Sequence, residues 1–167
     1  PDEMSGIYDI IFLMTKQREN PKILVNIRDY LSPDGVIVTM QNGLPEPSVI
    51  SAVGAKRCLG CAVAWGATTV GLGEVELTSK KEKMTFSLGS MNGITTWIEP
   101  VKEYLECAGK VIVEENFFSA RWAKLVINSA FSPLSAMSGM TVGQVSRGKY
   151  SKRIALELLN EAFTVAE

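Results

Sequence analysis

Two apolar stretches, Tyr8-Asp-Ile-Ile-Phe-Leu-Met14 and Val36-Ile-Val-Thr-Met40, decide the fold of this chain. Both are short runs of mainly apolar residues, which is typical of strands buried in a parallel sheet. Between them, Asn20-Pro21 is a helix start with proline in the first turn, and Ser32-Pro-Asp-Gly35 predicts a turn. This order of strand, helix and strand predicts a βαβ unit with a right-handed crossover.

Later patterns extend the α/β prediction. Further strands are predicted over Cys58–Ala64, Ala67–Val70, Gly73–Thr78, Met84–Leu88 and Lys110–Val113. Gly71-Leu-Gly73 joins two of these strands and lacks a third glycine, so we interpret it as a hairpin turn rather than a dinucleotide-binding loop. Helices are predicted over Pro47–Val53, Thr95–Ala108, Trp122–Ala136 and Lys152–Glu167. The stretch from Trp122 is apolar on nearly every side, which predicts a buried helix.

Composition narrows the function classes. The chain has 167 residues, 46% of them hydrophobic, and a formal net charge of −1. Because no basic block stands out, electrostatics favours neither nucleic acid nor a membrane surface as a partner. No apolar run is long enough to span a bilayer and no signal-peptide pattern opens the sequence, so we expect a cytoplasmic protein.

The cysteines do not indicate a metal or redox site. Cys58-Leu-Gly-Cys61 has the spacing of half a zinc site or of a redox pair. However, no second pair follows, the sequence contains no histidine, and the motif lies in a predicted buried strand. We therefore interpret Cys58 and Cys61 as small core residues and expect no metal.

A lysine and an asparagine interrupt the apolar helix. Lys124 and Asn128 are one helical turn apart, so they project from the same face. Lysine is rarely buried without a partner, and the pair therefore indicates a polar pocket. The alternative is that Lys124 extends to water while Asn128 bonds a neighbour. Because the chain lacks histidine, acid–base chemistry must use lysine, carboxylate, tyrosine or cysteine, which favours Lys124.

The order of these signals resembles the ketopantoate reductase family, and the resemblance covers essentially the whole chain. The matching pieces are a strand ending in Met14-Thr-Lys16, the sequence Gln41-Asn-Gly43, a strand-rich segment that closes at Gly89, and Trp122-Ala-Lys-Leu-Val-Ile-Asn128 running into Pro133-Leu-Ser-Ala136. Gln41-Asn-Gly43 also falls at the carboxyl end of a predicted strand, where ligands bind in open α/β sheets.

The resemblance implies a two-domain enzyme with NADP as its cofactor. Residues 1–115 would be the later part of a Rossmann-type, doubly wound α/β domain, and residues 116–167 would begin an all-α substrate domain. The family's glycine-rich loop would precede residue 1, and its late serine and glutamate would follow residue 167. We therefore expect this segment alone to be inactive.

The resemblance also implies roles for individual residues. Lys124 matches the family's catalytic lysine, and Asn128 matches an asparagine that binds the keto acid. Asn42 matches the asparagine that contacts the nicotinamide ribose and the substrate. Lys16 matches a cofactor-side lysine, and Gly66 matches a backbone contact to the cofactor.

Two positions depart from the family pattern. Ser132 and Val142 stand where the best-known members carry substrate-facing asparagines. Ser132 stays a candidate substrate-binding residue, but the identity of the keto acid is open.

The implied function is NADPH-dependent reduction of a 2-keto acid, either ketopantoate or a related compound. The resemblance is also compatible with assembly as a homodimer. Hydride transfer to a ketone leaves negative charge on its oxygen, which a lysine in a partly apolar cleft can stabilise and protonate. A related 2-hydroxy acid or opine-type dehydrogenase is the alternative among enzymes. A non-catalytic Rossmann-like module is the other alternative, and the joint presence of Lys124, Asn128 and Asn42 argues against it.

Overall fold

The computed structural model of the protein describes residues 4–93 and 96–166. The chain divides into two compact units, Pro1–Ala120 and Arg121–Glu167. The first unit contains the strands β1 (Tyr8–Leu13), β2 (Leu31–Thr39), β3 (Cys58–Val63), β4 (Ala67–Gly71), β5 (Glu74–Leu77), β6 (Thr85–Gly89) and β7 (Lys110–Val113). Its helices are α1 (Asn20–Ile27), α2 (Glu46–Val53) and α3 (Ile98–Glu106). Thr95, where the sequence predicts the start of α3, lies outside the described residues.

The main sheet has the strand order β1-β2-β3-β6-β7. β1 pairs with β2 and β2 with β3 in parallel, which confirms the predicted βαβ unit. β6 is antiparallel to β3, and β7 runs parallel to β6. The carboxyl ends of β1, β2 and β3 therefore lie at one edge of the sheet, which we call the carboxyl edge.

Two hydrophobic clusters cover the two faces of this sheet. Val36 and Val38 pack in a cluster with residues of α3, whereas Ile37 belongs to a second cluster with residues of α1 and α2. Successive residues of a strand point to opposite faces, so a strand covered on both sides needs an uninterrupted apolar run. The predicted doubly wound α/β class is thus confirmed for this unit.

The interpretation of the cysteines is confirmed by the same alternation. Cys58 and Cys61 are both buried in β3, but Cys58 packs in the cluster with α1 and α2 and Cys61 in the cluster with α3. They lie on opposite faces of the sheet, so they cannot form a redox pair or share a metal. The described residues contain no group of His, Cys, Asp and Glu side chains that could hold a metal ion.

The predicted turn at Ser32–Gly35 is wrong. This segment is part of β2, although the pairing with β1 is irregular there, since Tyr8 lies opposite Leu31 and Ile10 opposite Val36. Ser32 Oγ donates a 2.8 Å hydrogen bond to the carboxylate of Asp9, and Arg57 Nε donates to the carbonyl of Gly35 at 3.0 Å. These distant partners hold the Pro-Asp-Gly sequence in the strand as a bulge.

The predicted hairpin is confirmed, and it stands apart from the main sheet. Among the described residues, β4 and β5 pair only with each other, in antiparallel register, and Gly73 in the turn has a φ of 74°. A positive φ of this size favours glycine, which explains why the Gly71-Leu-Gly73 sequence serves as a turn.

The second unit is helical. α4 (Phe117–Ser138) begins at the end of the first unit and continues through the second, where α5 (Val142–Arg147) and α6 (Lys149–Ala166) follow. Thr141 caps α5 by a reciprocal capping box with Gln144. The prediction of a buried helix over Trp122–Ala136 holds for one side of α4, where Val126 and Ala130 are buried, and is wrong for another, where Ile127 is 54% exposed. Apolar positions around a whole helix are buried only where other elements surround it, and the described chain does not surround α4.

Candidate active site

The carboxyl edge brings together two of the residues that the sequence singled out. Lys16 follows β1 and Asn42 follows β2, and both side chains are exposed. The two strand ends are tied to each other, because the backbone N–H of Met40 donates to the carbonyl of Leu13 at 3.0 Å. Lys16 and Asn42 therefore extend from neighbouring loops at the edge where open α/β sheets bind ligands.

Gln41 and Asn42 are adjacent in sequence but have opposite environments. Gln41 is 4% exposed, and its amide nitrogen donates to the carbonyl of Thr15 at 2.8 Å. Asn42 is exposed, and its side chain makes no hydrogen bond within the part of the chain that the structure describes. Gln41 thus holds the loop, while the amide of Asn42 is available to a ligand.

Gly43 completes this loop for two physical reasons. Its φ is 84°, a conformation that side-chain-bearing residues rarely adopt. A Cβ at this position would also come within 2.7 Å of Oε1 of Gln17, whose amide nitrogen donates to the carbonyl of Leu44 at 3.1 Å. The Gln-Asn-Gly sequence therefore needs its glycine for the turn that presents Asn42.

Gly66 follows β3 and so lies beyond the third strand end of the carboxyl edge. Its backbone N–H is already engaged, since it donates to Ser79 Oγ at 2.8 Å. Its carbonyl accepts a 2.9 Å hydrogen bond from the N–H of Thr78. A backbone contact from Gly66 to a cofactor therefore has only the second lone pair of the carbonyl to use.

The register of the sheet also places the start of α4. Leu13, Thr39, Gly60 and Gly89 form one row across β1, β2, β3 and β6. A Cβ on Gly60 would lie 2.0 Å from the Phe117 ring, and a Cβ on Gly89 would lie 2.6 Å from Cβ of Phe117. The buried ring of Phe117 therefore lies directly on this glycine pair, in the row that ends β2.

A carboxylate is buried at the same position. Glu46, in the first turn of α2, is fully buried, and its Oε1 would lie 2.7 Å from a Cβ on Gly60. The glycine thus makes room for both the Phe117 ring and the Glu46 carboxylate. Sequence reasoning did not single out either residue, because their proximity depends on the register of strands that are distant in sequence.

α4 carries the other two candidate residues. Lys124 and Asn128 are both half-buried and lie one turn apart on one face of this helix. Arg121, which is 1% exposed, lies on the same side one turn earlier. Among the described residues, the amide of Asn128 makes no hydrogen bond, so it too is available to a ligand.

Ser132 and Val142 occupy more open positions. Ser132 lies one turn beyond Asn128 on α4 and is exposed. Val142 is the first residue of α5 and is 51% exposed. Both side chains are accessible to a substrate, but neither has the amide group of an asparagine.

A cavity elsewhere in the first unit contains none of these residues. It has a volume of about 570 Å³ and lies before β3 and beside the bulge of β2, with Asp34, Lys56, Arg57 and Trp97 among its lining residues. The indole N–H of Trp97 donates to the carbonyl of Asp34 at 2.7 Å, which closes part of its wall. The cavity therefore lies at the amino ends of β2 and β3, away from the carboxyl edge.

No helix in the described part of the chain is long and apolar enough to cross a membrane.

The fold and the two loops define a class of protein: a Rossmann-type α/β unit followed by helices, with polar side chains presented at the carboxyl edge. The family profile described as "Ketopantoate reductase PanE/ApbA" matches residues 1–92, and the profile described as "Ketopantoate reductase PanE/ApbA C terminal" matches residues 116–167. The chain therefore belongs to the ketopantoate reductase family.

Individual proteins and solved structures are similar to this chain, the latter in fold. The 2-dehydropantoate 2-reductase of Pyrococcus horikoshii is 29% identical over 159 residues, which are 95% of this chain and 52% of that protein. A crystal structure of 2-dehydropantoate 2-reductase from Geobacter metallireducens is similar with a TM-score of 0.81 at 24% identity, over 95% of this chain and 53% of that one. The ternary structure of D-mandelate dehydrogenase with NADH and anilino(oxo)acetate is similar with a TM-score of 0.84 at 17% identity, over 98% of this chain and 53% of that one. The chain thus spans about half the length of these relatives.

Proposed function

We propose that the full-length protein reduces 2-keto acids with a nicotinamide cofactor, and that the cofactor is NADPH. The observation that carries this proposal is the Gln41-Asn42-Gly43 loop. The loop is held by the buried Gln41 side chain and presents the amide of Asn42, which makes no hydrogen bond among the described residues, at the carboxyl edge. Membership of the ketopantoate reductase family supports the reaction class, and the NADH complex of D-mandelate dehydrogenase supports a nicotinamide cofactor on this fold.

The residues present fit such a cofactor. Lys16 offers a positive charge and Asn42 a hydrogen-bonding amide on neighbouring loops of the carboxyl edge, and Gly66 offers a carbonyl at the end of β3. A nicotinamide cofactor carries anionic phosphates, which a lysine attracts, and ribose hydroxyls, to which an asparagine bonds. We assign cofactor contacts to Lys16, Asn42 and Gly66 on these grounds.

The chemistry is divided between charge stabilisation and orientation. The reduced nicotinamide would supply a hydride to the keto carbon. Lys124 stabilises the negative charge that develops on the keto oxygen and donates the proton that completes the alcohol. Asn128, one turn further along α4, binds the keto acid, and Asn42 holds substrate and ribose in line. Ser132 is a further contact to the substrate.

A reductase or dehydrogenase for a different 2-hydroxy acid is the second candidate. The similarity to D-mandelate dehydrogenase and the presence of Ser132 and Val142 favour it. The reaction type and the roles of Lys124, Asn128 and Asn42 are the same in both candidates. The cytoplasmic location and the homodimeric assembly stay predictions.

Substrate choice is tested by steady-state kinetics of the full-length protein on a panel of 2-keto acids with NADPH. Ser132 and Val142 stand where the best-known family members carry asparagines. The serine side chain is shorter than that of asparagine and valine cannot form a side-chain hydrogen bond, so a polar group of ketopantoate would lose a partner. A lost partner of this kind costs about 1–3 kcal/mol, which corresponds to up to roughly a hundredfold in kcat/KM. We expect ketopantoate to be used less well than a less polar 2-keto acid. If ketopantoate gives the highest kcat/KM of the panel, the two replacements are neutral; if no 2-keto acid is reduced, the proposed function is wrong.

The role of Asn42 is tested by the Asn42→Ala variant of the full-length protein. Loss of a hydrogen bond to a charged or polarised ligand costs about 1.5–3 kcal/mol, so we expect kcat/KM for the keto acid to fall roughly 10–100-fold. The melting temperature should stay unchanged, because the Asn42 side chain makes no hydrogen bond within the described chain. Asn92→Ala, at another exposed asparagine, is the control and should match the wild type. Equal kinetics for both variants would remove Asn42 from the site.

A further inference from the structure

A buried amide pair connects the two loops that carry Lys16 and Asn42. The amide nitrogen of Gln41 donates to Oδ1 of Asn20 at 2.7 Å, and the amide nitrogen of Asn20 donates to Oε1 of Gln41 at 3.0 Å. Asn20 is 1% exposed and Gln41 is 4% exposed. The two side chains are therefore joined by reciprocal hydrogen bonds away from water.

Gln41 uses all of its hydrogen-bonding capacity in this pair and around it. Besides bonding Asn20, its nitrogen donates to the carbonyl of Thr15 at 2.8 Å, and its oxygen accepts a 3.2 Å hydrogen bond from Thr39 Oγ1. Thr15 immediately precedes Lys16, and Gln41 immediately precedes Asn42. The Gln41 side chain thus fixes the backbone beside both candidate cofactor residues.

Asn20 extends the connection to a third segment. Its amide nitrogen also donates to Ser48 Oγ at 2.9 Å, and that hydroxyl donates to the carbonyl of Pro45 at 2.7 Å. Asn20 therefore links the start of α1, the end of β2 and the first turn of α2. A fully bonded network of buried polar groups specifies one arrangement, because breaking any member leaves the others without partners.

We infer that Asn20 and Gln41 form a clamp that sets the spacing of Lys16 and Asn42, and that Asn20 is a positioning residue for the reductase site. This inference rests on the proposed function, because it assigns the cofactor contacts to Lys16 and Asn42. The sequence accounts for Asn20 only as a helix start, whereas in the structure its side chain makes no capping bond and instead bonds Gln41 and Ser48.

The test uses the Asn20→Ala variant of the full-length protein, with Asn26→Ala as a matched control on the same helix. Asn26 is exposed, so its replacement removes an asparagine from α1 without touching the clamp. A small displacement of aligned groups costs up to about a hundredfold in rate. We expect Asn20→Ala to raise the KM for NADPH about tenfold and to lower kcat about tenfold, with a much smaller change in the KM for the keto acid, and Asn26→Ala to match the wild type.

A second measurement reports on the clamp without relying on activity. Trypsin cleaves after lysine and arginine; Lys16 lies in the loop that Gln41 holds through Thr15, and Arg18 lies in the short 3-10 helix Gln17–Glu19 that follows. Asn20→Ala should therefore speed cleavage at these two residues several-fold relative to Asn26→Ala. The double variant Asn20→Gln, Gln41→Asn keeps two facing amides of the same combined length, and it should recover part of the NADPH KM and of the protection.

The outcomes separate the inference from the function on which it rests. A wild-type protein that reduces no 2-keto acid refutes the proposed function, whatever the variants do. An active wild type with the same NADPH KM in Asn20→Ala and Asn26→Ala refutes the positioning role, and equal cleavage at Lys16 refutes the clamp. If Asn20→Ala fails to fold, the Ser48→Ala variant tests the inference instead, since it removes a single hydrogen bond of Asn20. A several-fold rise in its KM for NADPH supports the inference, and an unchanged KM contradicts it.

Discussion

Lys124→Ala in the full-length protein is expected to lower kcat on any accepted keto acid by about 10²–10⁴-fold, the usual effect of losing a positioned acid. In the proposed mechanism the lysine acts on charge that develops on the keto oxygen during hydride transfer, so its interaction would be stronger in the transition state than in the bound substrate. The loss should therefore fall on turnover, while the affinity for NADPH stays near that of the wild type.

The control is Lys152→Ala. Lys152 is an exposed lysine of α6 and has no role in the proposed mechanism. NADPH affinity is measured by titration and turnover by the loss of reduced cofactor, so binding and chemistry are separated. A Lys124→Ala variant with the turnover number of Lys152→Ala would remove Lys124 from the mechanism.

Phe117→Ala is expected to have the largest effect on stability, about 3–5 kcal/mol in the free energy of unfolding. Its ring is 1% exposed and covers the glycine pair Gly60 and Gly89, so its removal leaves a cavity on the sheet at the point where α4 begins. Gly60→Ala should also destabilise, by about 1–3 kcal/mol, because the new Cβ would lie 2.0 Å from the same ring.

The two changes should not be additive. With the ring absent, the two nearest atoms that the methyl group of Gly60→Ala would meet are gone, and Oε1 of Glu46 at 2.7 Å is the next nearest. The double variant should therefore lose about 1 kcal/mol or more less stability than the sum of the two single losses. Denaturant unfolding of the four proteins gives the coupling energy. Gly143→Ala is the control, because a Cβ there would come no nearer than 3.4 Å to the Arg147 guanidinium, and we expect it to be neutral or slightly stabilising. A coupling energy of zero would show that the ring does not lie on Gly60.

Much of the fold follows from hydrophobic patterns alone. The strand at Val36–Met40 is predicted because an uninterrupted apolar run is needed where helices cover both faces of a sheet, and α1, α2 and α3 do so. The bulge at Ser32–Gly35 was not predictable, since Asp9 and Arg57, which hold it, are distant in sequence. Its local Pro-Asp-Gly signal is that of a turn, and tertiary contacts override it.

The candidate site divides in the same way. Parallel pairing of β1 and β2 brings Lys16 and Asn42 to one edge, and helical spacing puts Lys124 and Asn128 on one face, so both pairs follow from the sequence. The supporting residues do not, because their partners are set by three-dimensional packing. Neither the clamp of Asn20 with Gln41 nor the position of Phe117 on Gly60 leaves a pattern in the linear sequence.

The central claim is the proposal that Lys124 and Asn128, which share one face of α4, act on one bound 2-keto acid. A crystal structure of the full-length protein with NADP and an unreactive keto acid analogue tests it most directly. The account predicts the Lys124 amine within hydrogen-bonding distance of the oxygen that stands for the keto oxygen, with the amide of Asn128 on the same ligand. A bound analogue that lies beyond hydrogen-bonding distance of both Lys124 and Asn128 would contradict the account, because groups that act on one small substrate must lie within contact distance of it.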